Sequence, residues 1–175
     1  MATKSKKIGD VNSNKKGSGA RFNNSKPDYS LIFLEDLIAL DNCKDELTEC
    51  LCNLSVFQKY EGKEKYLNEA FLYACSFMLN EYDMLENEFW MEPVIRVWEY
   101  GKNKYSAWNW ACGMRWSIPI ACIARHYIAH RNGEKIDEES GQSHIAHIIC
   151  NLQMLRYYIV NYPEGNDLVW NVIED

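Results

Sequence analysis

After residue 28 the apolar positions recur three and four apart, and nowhere do they alternate over a length that would make a useful strand. Leu31, Leu34, Leu37 and Ile38 form the first such stripe. Asp28-Tyr29-Ser30 stands before it as a cap for a helix that begins near Leu31. From Asp41 to Lys63 cysteines, asparagines and acidic residues blur the phase, and the best fit is a helix from about Lys44 to Tyr60, stopped near Gly62. The next stripe, over about Lys65 to Leu85, buries Leu67, Ala70, Phe71, Ala74, Phe77, Met78 and Tyr82. Phe89 to Lys104 reads as a further helix. Pro93 sits in its first turn, where a missing N–H costs little, and Gly101 ends or loosens it.

Ile118 to Asn132 is apolar nearly all round, which predicts a central helix. Arg125 and His126 lie within it and need partners, because a buried unpaired polar group costs about 1–3 kcal/mol. After Gly133 a last long helix, from about Ser143 to Asn161, carries Ile145, Ile148, Ile149, Leu152 and Leu155 inward. His144, His147 and Asn151 form a second, narrow stripe along its edge. Leu168, Val169, Trp170 and Val172 follow Tyr162-Pro163 as a tail able to dock. The pattern predicts an all-α fold, a helical bundle over residues 29–162 with a C-terminal tail, 163–175.

Composition adds an aromatic-rich core, with six Trp, eleven Tyr and 47% hydrophobic residues among 175. The net charge of -6 argues against a protein that coats nucleic acid, although Lys4 to Lys26 is locally basic. Residues 1–28 read as a flexible, disordered arm of Gly, Ser, Lys and Asn. Its Gly17–Pro27 part either closes over phosphates with Arg21 and Lys26 or is a plain linker. No signal-peptide core and no membrane-spanning run is seen, so a soluble, cytoplasmic protein is expected. Seven cysteines scattered through apolar patterns predict free thiols, and the Cys50/Cys52 pair lacks a second pair at zinc-finger spacing.

The chemistry concentrates between Arg125 and Asn151. All four histidines (His126, His130, His144, His147) fall there, as do Asp137, Glu138 and Glu139 on a short turn. Imidazoles and carboxylates on facing helices suit a divalent ion; the alternative is a helical hairpin whose polar turn faces water. Lys102 to Trp110 mixes polar and aromatic residues, as a wall where rings stack on a base does, and as an ordinary connection also does.

Several short pieces resemble one family. They are Gly19-Ala20-Arg21-Phe22-Asn23 with Ser25-Lys26-Pro27 and Tyr29-Ser30-Leu31-Ile32; Tyr100-Gly101 with Lys104-Tyr105 and Asn109-Trp110; and Arg125-His126, Gly133-Glu134, Asp137, Glu139-Ser140-Gly141, His144, His147 and Asn151. In order and spacing they are similar to the N-terminal domain of phage dATP/dGTP diphosphohydrolases, over roughly residues 19–38 and 94–156. Residues 41–88 have no counterpart in that resemblance and look like an inserted helical hairpin. The Glu-rich signature of the related all-α MazG-type pyrophosphatases is missing. So is the His-Asp doublet of another hydrolase class, since Tyr127 follows His126.

The resemblance implies hydrolysis of dGTP or dATP to the monophosphate and pyrophosphate, adjusting a phage-controlled purine pool in the host cytoplasm. It implies a homo-oligomer, dimer or tetramer. The metal shell would be His126, Asp137, Glu139, His144 and His147, holding Mg²⁺ or Mn²⁺, with Co²⁺ or Zn²⁺ as further choices. Glu138 or Glu139 would serve as general base, with Arg125 as a further catalytic group. Arg21, Asn23, Lys26, Lys104, Tyr105, Asn109, Trp110 and Asn151 would bind substrate. Two other readings stay open: a non-catalytic protein that binds or sequesters a nucleotide, and a helical interaction protein that uses the inserted hairpin.

Overall fold

The computed structural model describes residues 7–22, 26–81 and 91–172. Asn23, the end of the third predicted helix at Leu85, the start of the fourth at Phe89 and the end of the inserted segment lie outside these residues. Seven α-helices and two minimal hairpins are present among them: β1 (Lys7–Ile8), β2 (Arg21–Phe22), α1 (Leu34–Leu40), α2 (Glu46–Lys59), α3 (Glu64–Glu81), α4 (Glu92–Tyr105), α5 (Ser117–Arg131), β3 (Ile136–Asp137), β4 (Gln142–Ser143), α6 (His144–Asn161) and α7 (Val169–Val172). The fold is all-α, as the periodicity predicts. β1 pairs antiparallel with β2 and β3 with β4, placing Asp137 opposite Gln142. No helix among the described residues is long and apolar enough to cross a membrane.

α6 is the axis of the bundle. It packs on α5, α3 and α4, and Ile145, Ile148, Ile149, Leu152 and Leu155 along it are fully buried. Ser143 caps it, its Oγ accepting from Ile145 N at 3.1 Å. α5 is central, as an all-round apolar helix must be, with Ile118, Ile120, Ile123 and Ala124 in the core. The tail docks: Leu168 is buried and Trp170 Nε1 donates to Phe57 O at 3.3 Å.

Three expectations are corrected. Asp28 does cap, its carboxylate accepting from Ser30 N, but it caps only a 3-10 turn over Tyr29–Leu31. α1 starts at Leu34 instead. Its first N–H is received by Gln58 Oε1 of α2 at 3.1 Å, a tertiary cap that no local pattern announces. Gly101 neither ends nor breaks α4, which runs on to Tyr105. The α2–α3 hairpin shares the hydrophobic core, to which Leu47, Leu51, Leu54, Phe57, Leu67 and Met78 belong.

The third correction concerns the arm. Residues 9–21 lie against the 3-10 turn Asn109–Cys112 and the Gly113 that follows it. Gly17 N donates to Cys112 O at 2.6 Å and Gly19 N to Gly113 O at 2.9 Å. A Cβ on Gly19 would stand 2.7 Å from Gly113 O, and one on Gly113 would strike the Tyr162 ring at 2.4 Å. The glycines that read as linker composition are therefore a requirement of close backbone contact.

Candidate functional site

α5 and α6 bring three imidazoles together. His126 Nδ1 and His144 Nδ1 are 2.8 Å apart, and the His126 ring stacks on His147 with centroids 4.3 Å apart and planes 8° from parallel. The β3–β4 turn delivers Asp137 to the same place. Ser140 N and Oγ both donate to Asp137 Oδ2, at 3.0 and 2.8 Å. Ser140 Oγ also lies 2.7 Å from His147 Nε2. Its single proton is given to Asp137, so His147 must donate from Nε2 and keep its lone pair on Nδ1.

Donor atoms of His126, Asp137 and His144 all lie within 4.8 Å of one another. His144 Nε2 is buried without a hydrogen-bond partner, 3.9 Å from Glu134 Oε2. The short His126–His144 contact needs one proton between two lone pairs, and losing that proton leaves both nitrogens facing one point. Burial, then the charges of His147 and Arg125, holds His126 well below the usual histidine range. Burial likewise lowers His144, and brings His147 to about 4. Neutral imidazoles are the form that binds a cation.

These depressed values make a pH prediction. Between about pH 6.5 and 4 the unfolded chain takes up protons that the folded chain refuses, so stability rises with pH across that window. Urea unfolding in the presence of a chelator is expected to show stability lost as pH falls from about 6.5 toward 4, on the order of 3 kcal/mol for His147 alone. A flat profile over that range would contradict neutral buried rings.

Beside the imidazoles lies a basic group. Arg21 reaches in from the arm, half-buried, and donates from Nη2 to Asn151 Oδ1 at 2.8 Å, while its Nε has no partner among the described residues. Asn151 is oriented by its own Nδ2, which donates to His147 O at 2.7 Å. Lys26 and Lys104 both grip Glu139, Lys26 at 2.9 Å, and Lys104 also reaches Tyr100 Oη at 3.2 Å. Partial burial would raise the Glu139 carboxyl, but hydrogen bonds from Lys104 and Lys26 outweigh it and hold it at about 2. In this arrangement Glu139 is a clamp on two lysines rather than a proton acceptor. Glu138 is exposed and does not line the cavity.

A cavity of about 750 Å³ joins these groups to an aromatic wall. Its lining includes Arg21, Lys26, Lys104 and Arg125 with His126 and His147, and also Trp98, Trp108, Trp110 and Tyr157. Trp110 packs on Trp98 at 4.9 Å and meets Tyr157 edge-on at 5.1 Å. Tyr105 also lines the space, but Asn109 does not. Its amide accepts from Ala20 N at 2.7 Å and donates to Asp10 O at 3.1 Å, so it anchors the arm and reads no base edge. Sequence reasoning gave Ser140 no role, although an Asp three residues before a Ser is a turn signal that could have suggested one. It also gave no site role to Trp98 and Tyr157, which line the cavity.

The loop that presents Trp108 is strained. Ser106 has φ 104° and ψ 158°, a region almost confined to glycine, and Trp108 has φ 62°. The arm holds this loop, Ser106 Oγ donating to Val11 O at 3.2 Å. Ser106→Gly is expected to stabilise the fold by about 1 kcal/mol, read as a higher urea midpoint. A lower midpoint would mean that the hydroxyl contact outweighs the strain.

Residues 79–168, just over half of the chain, match the family described as dATP/dGTP diphosphohydrolase, N-terminal. That span covers the α4–α6 site but not residues 19–38, where part of the resemblance was read. The chain is similar to a protein of Salmonella phage PMBT28 named dATP/dGTP diphosphohydrolase, at 29% identity over 80 residues, 46% of this chain. The matched part spans 27% of the length of that relative. No solved structure matches.

Proposed function

Because the chain belongs to the dATP/dGTP diphosphohydrolase N-terminal family, we propose that its cavity binds a purine deoxynucleoside triphosphate and hydrolyses it to the monophosphate and diphosphate. The observation that carries this reading is the mixed lining of the cavity, where cations, imidazoles and Asp137 share one space with a cluster of packed tryptophans. A triphosphate needs charge neutralised along its length, and a purine needs flat apolar surface.

Arg21, Lys26, Lys104 and Arg125 hold the phosphates. Glu139 keeps the two lysines together until phosphate oxygens replace it. Trp98, Trp108 and Trp110 enclose the base. His126, Asp137 and His144, with His147 beside them, fit a divalent ion, and imidazoles with one carboxylate favour Mn²⁺ or Co²⁺ over Mg²⁺. When bound, such an ion supplies counter-charge to phosphate oxygens and a water of lowered pKa. In the reaction a water oxygen bonds to the α-phosphorus, the bond from that phosphorus to the bridging oxygen breaks, and diphosphate leaves. His147 takes the water proton on Nδ1, and Asp137 supports the resulting imidazolium through Ser140. In an infected cell this activity would shift the purine deoxynucleotide pool.

The test is a panel of deoxynucleoside triphosphates incubated with the protein and Mg²⁺, Mn²⁺ or Co²⁺, resolved by chromatography. dGMP or dAMP together with diphosphate is the expected product. A nucleotide that stays bound and unchanged would make this a binding protein, and orthophosphate release would rule out cleavage at the α-phosphorus.

A further inference from the structure

α6 lines the cavity from end to end, with His147, Asn151, Gln153 and Tyr157 along it. A helix rises about 1.5 Å per residue, so Gln153 stands about 9 Å beyond His147 along the axis. That offset carries it away from the imidazoles and onto Trp98, where a base would lie if the phosphates lie at the imidazoles.

Gln153 Oε1 lies 2.9 Å from Trp98 Nε1. An indole N–H can only donate, so the amide has one possible orientation, carbonyl toward Trp98 and NH₂ away from it. Trp98 is itself held by Trp110, at 4.9 Å between ring centroids. Gln153 Nε2 makes no hydrogen bond among the described residues. The side chain therefore presents its NH₂ donors outward, while Trp98 engages one of the two lone pairs of its carbonyl.

A freely turning amide suits either purine, because its carbonyl and NH₂ can together match the N6 amino group and N7 of adenine. One locked with its NH₂ outward suits guanine better. Guanine offers two acceptors on that edge, O6 and N7, whereas adenine offers one acceptor and one donor. We propose that Gln153, oriented by Trp98, is the base-reading residue of the cavity and selects guanine over adenine. The proposal rests on the cavity being a nucleotide site, and it adds a direction that the family description, which includes both purines, does not contain.

The experiment is calorimetric binding of the α,β-methylene analogues of dGTP and dATP, which cannot be cleaved at that position, to the full chain with Mn²⁺. The wild-type protein is expected to bind the guanine analogue at least about tenfold more tightly. Gln153→Leu should lower guanine affinity by about tenfold and leave adenine nearly unchanged. Trp98→Phe keeps the ring and removes the N–H, so the amide can turn and the two affinities should converge through a gain for adenine. If neither analogue binds the wild-type protein, the nucleotide reading of the cavity is wrong. If both bind and the two variants leave the guanine-to-adenine ratio unchanged, the nucleotide reading stands and the role of Gln153 is refuted.

Discussion

His144→Ala is expected to lower dGTP hydrolysis by about a thousandfold, or about 4 kcal/mol of transition-state stabilisation, with little change in unfolding free energy. The asymmetry comes from what His144 does in the folded chain. Its Nδ1 faces His126 Nδ1 at 2.8 Å, while its Nε2 is buried and unpaired. A buried nitrogen without a partner costs stability, so its removal offsets much of the packing lost with the ring. For catalysis the same substitution deletes one of three mutually close donors. Two measurements belong together here: kcat/KM with Mn²⁺, and Mn²⁺ affinity by calorimetry. Turnover within tenfold of wild type would remove His144 from the proposed metal shell. Lost turnover with unchanged Mn²⁺ affinity would move its role from the metal to the substrate.

The largest loss of stability is expected from Arg131→Ala, about 3–5 kcal/mol. Arg131 lies at the end of α5 and ties the central helix to the start of the α2–α3 hairpin. It donates to Asp45 from Nη1 at 2.8 Å and from Nη2 at 2.6 Å, its Nη2 reaches Thr48 Oγ1 at 2.9 Å, and its Nε is 2.9 Å from Asp41 Oδ2. Tyr127 Oη bonds the same Asp41 carboxylate. Deleting the guanidinium strands two partly buried carboxylates, and that residual desolvation, more than the lost attraction, sets the cost. Burial opposes the charge on Asp45, but the hydrogen bonds from Arg131 and Thr48 bring it down to about 2. A depressed carboxyl contributes stability above its unfolded pKa, near 4, that is lost as pH falls toward 2. Urea unfolding should therefore show both the loss at pH 7 and a weaker acid dependence in the variant. A loss under about 1 kcal/mol would show that the network is replaceable by water.

The network also matters for the site, because α5 presents adjacent residues to opposite tasks. Tyr127 and Arg131 face the acidic start of the hairpin while His126 faces α6. Fixing one side of the helix fixes the rotation of the other. Periodicity placed both groups on one buried helix, but which neighbour each would meet depended on a segment some 80 residues earlier.

Helical spacing by itself determined the all-α class, the extents of α2, α5 and α6 to within a residue or two, and the alignment of His144, His147 and Asn151. Those are properties of residues three to seven apart, and the geometry of a single helix carries them. Local signals failed where a distant group intervened: at Leu34, whose N–H is received by Gln58, and along residues 9–21, whose glycines allow backbone contact with Gly113. Site chemistry divided in the same way. Residue types alone located the imidazoles and Asp137, since few other side chains bind a cation. Only the tertiary structure decided that Glu139 clamps two lysines, that Asn109 holds the arm and that Trp98 orients Gln153. Each of those roles is set by a partner from another element, and the direction of a hydrogen bond across the bundle has no signature in the order of residues along the chain.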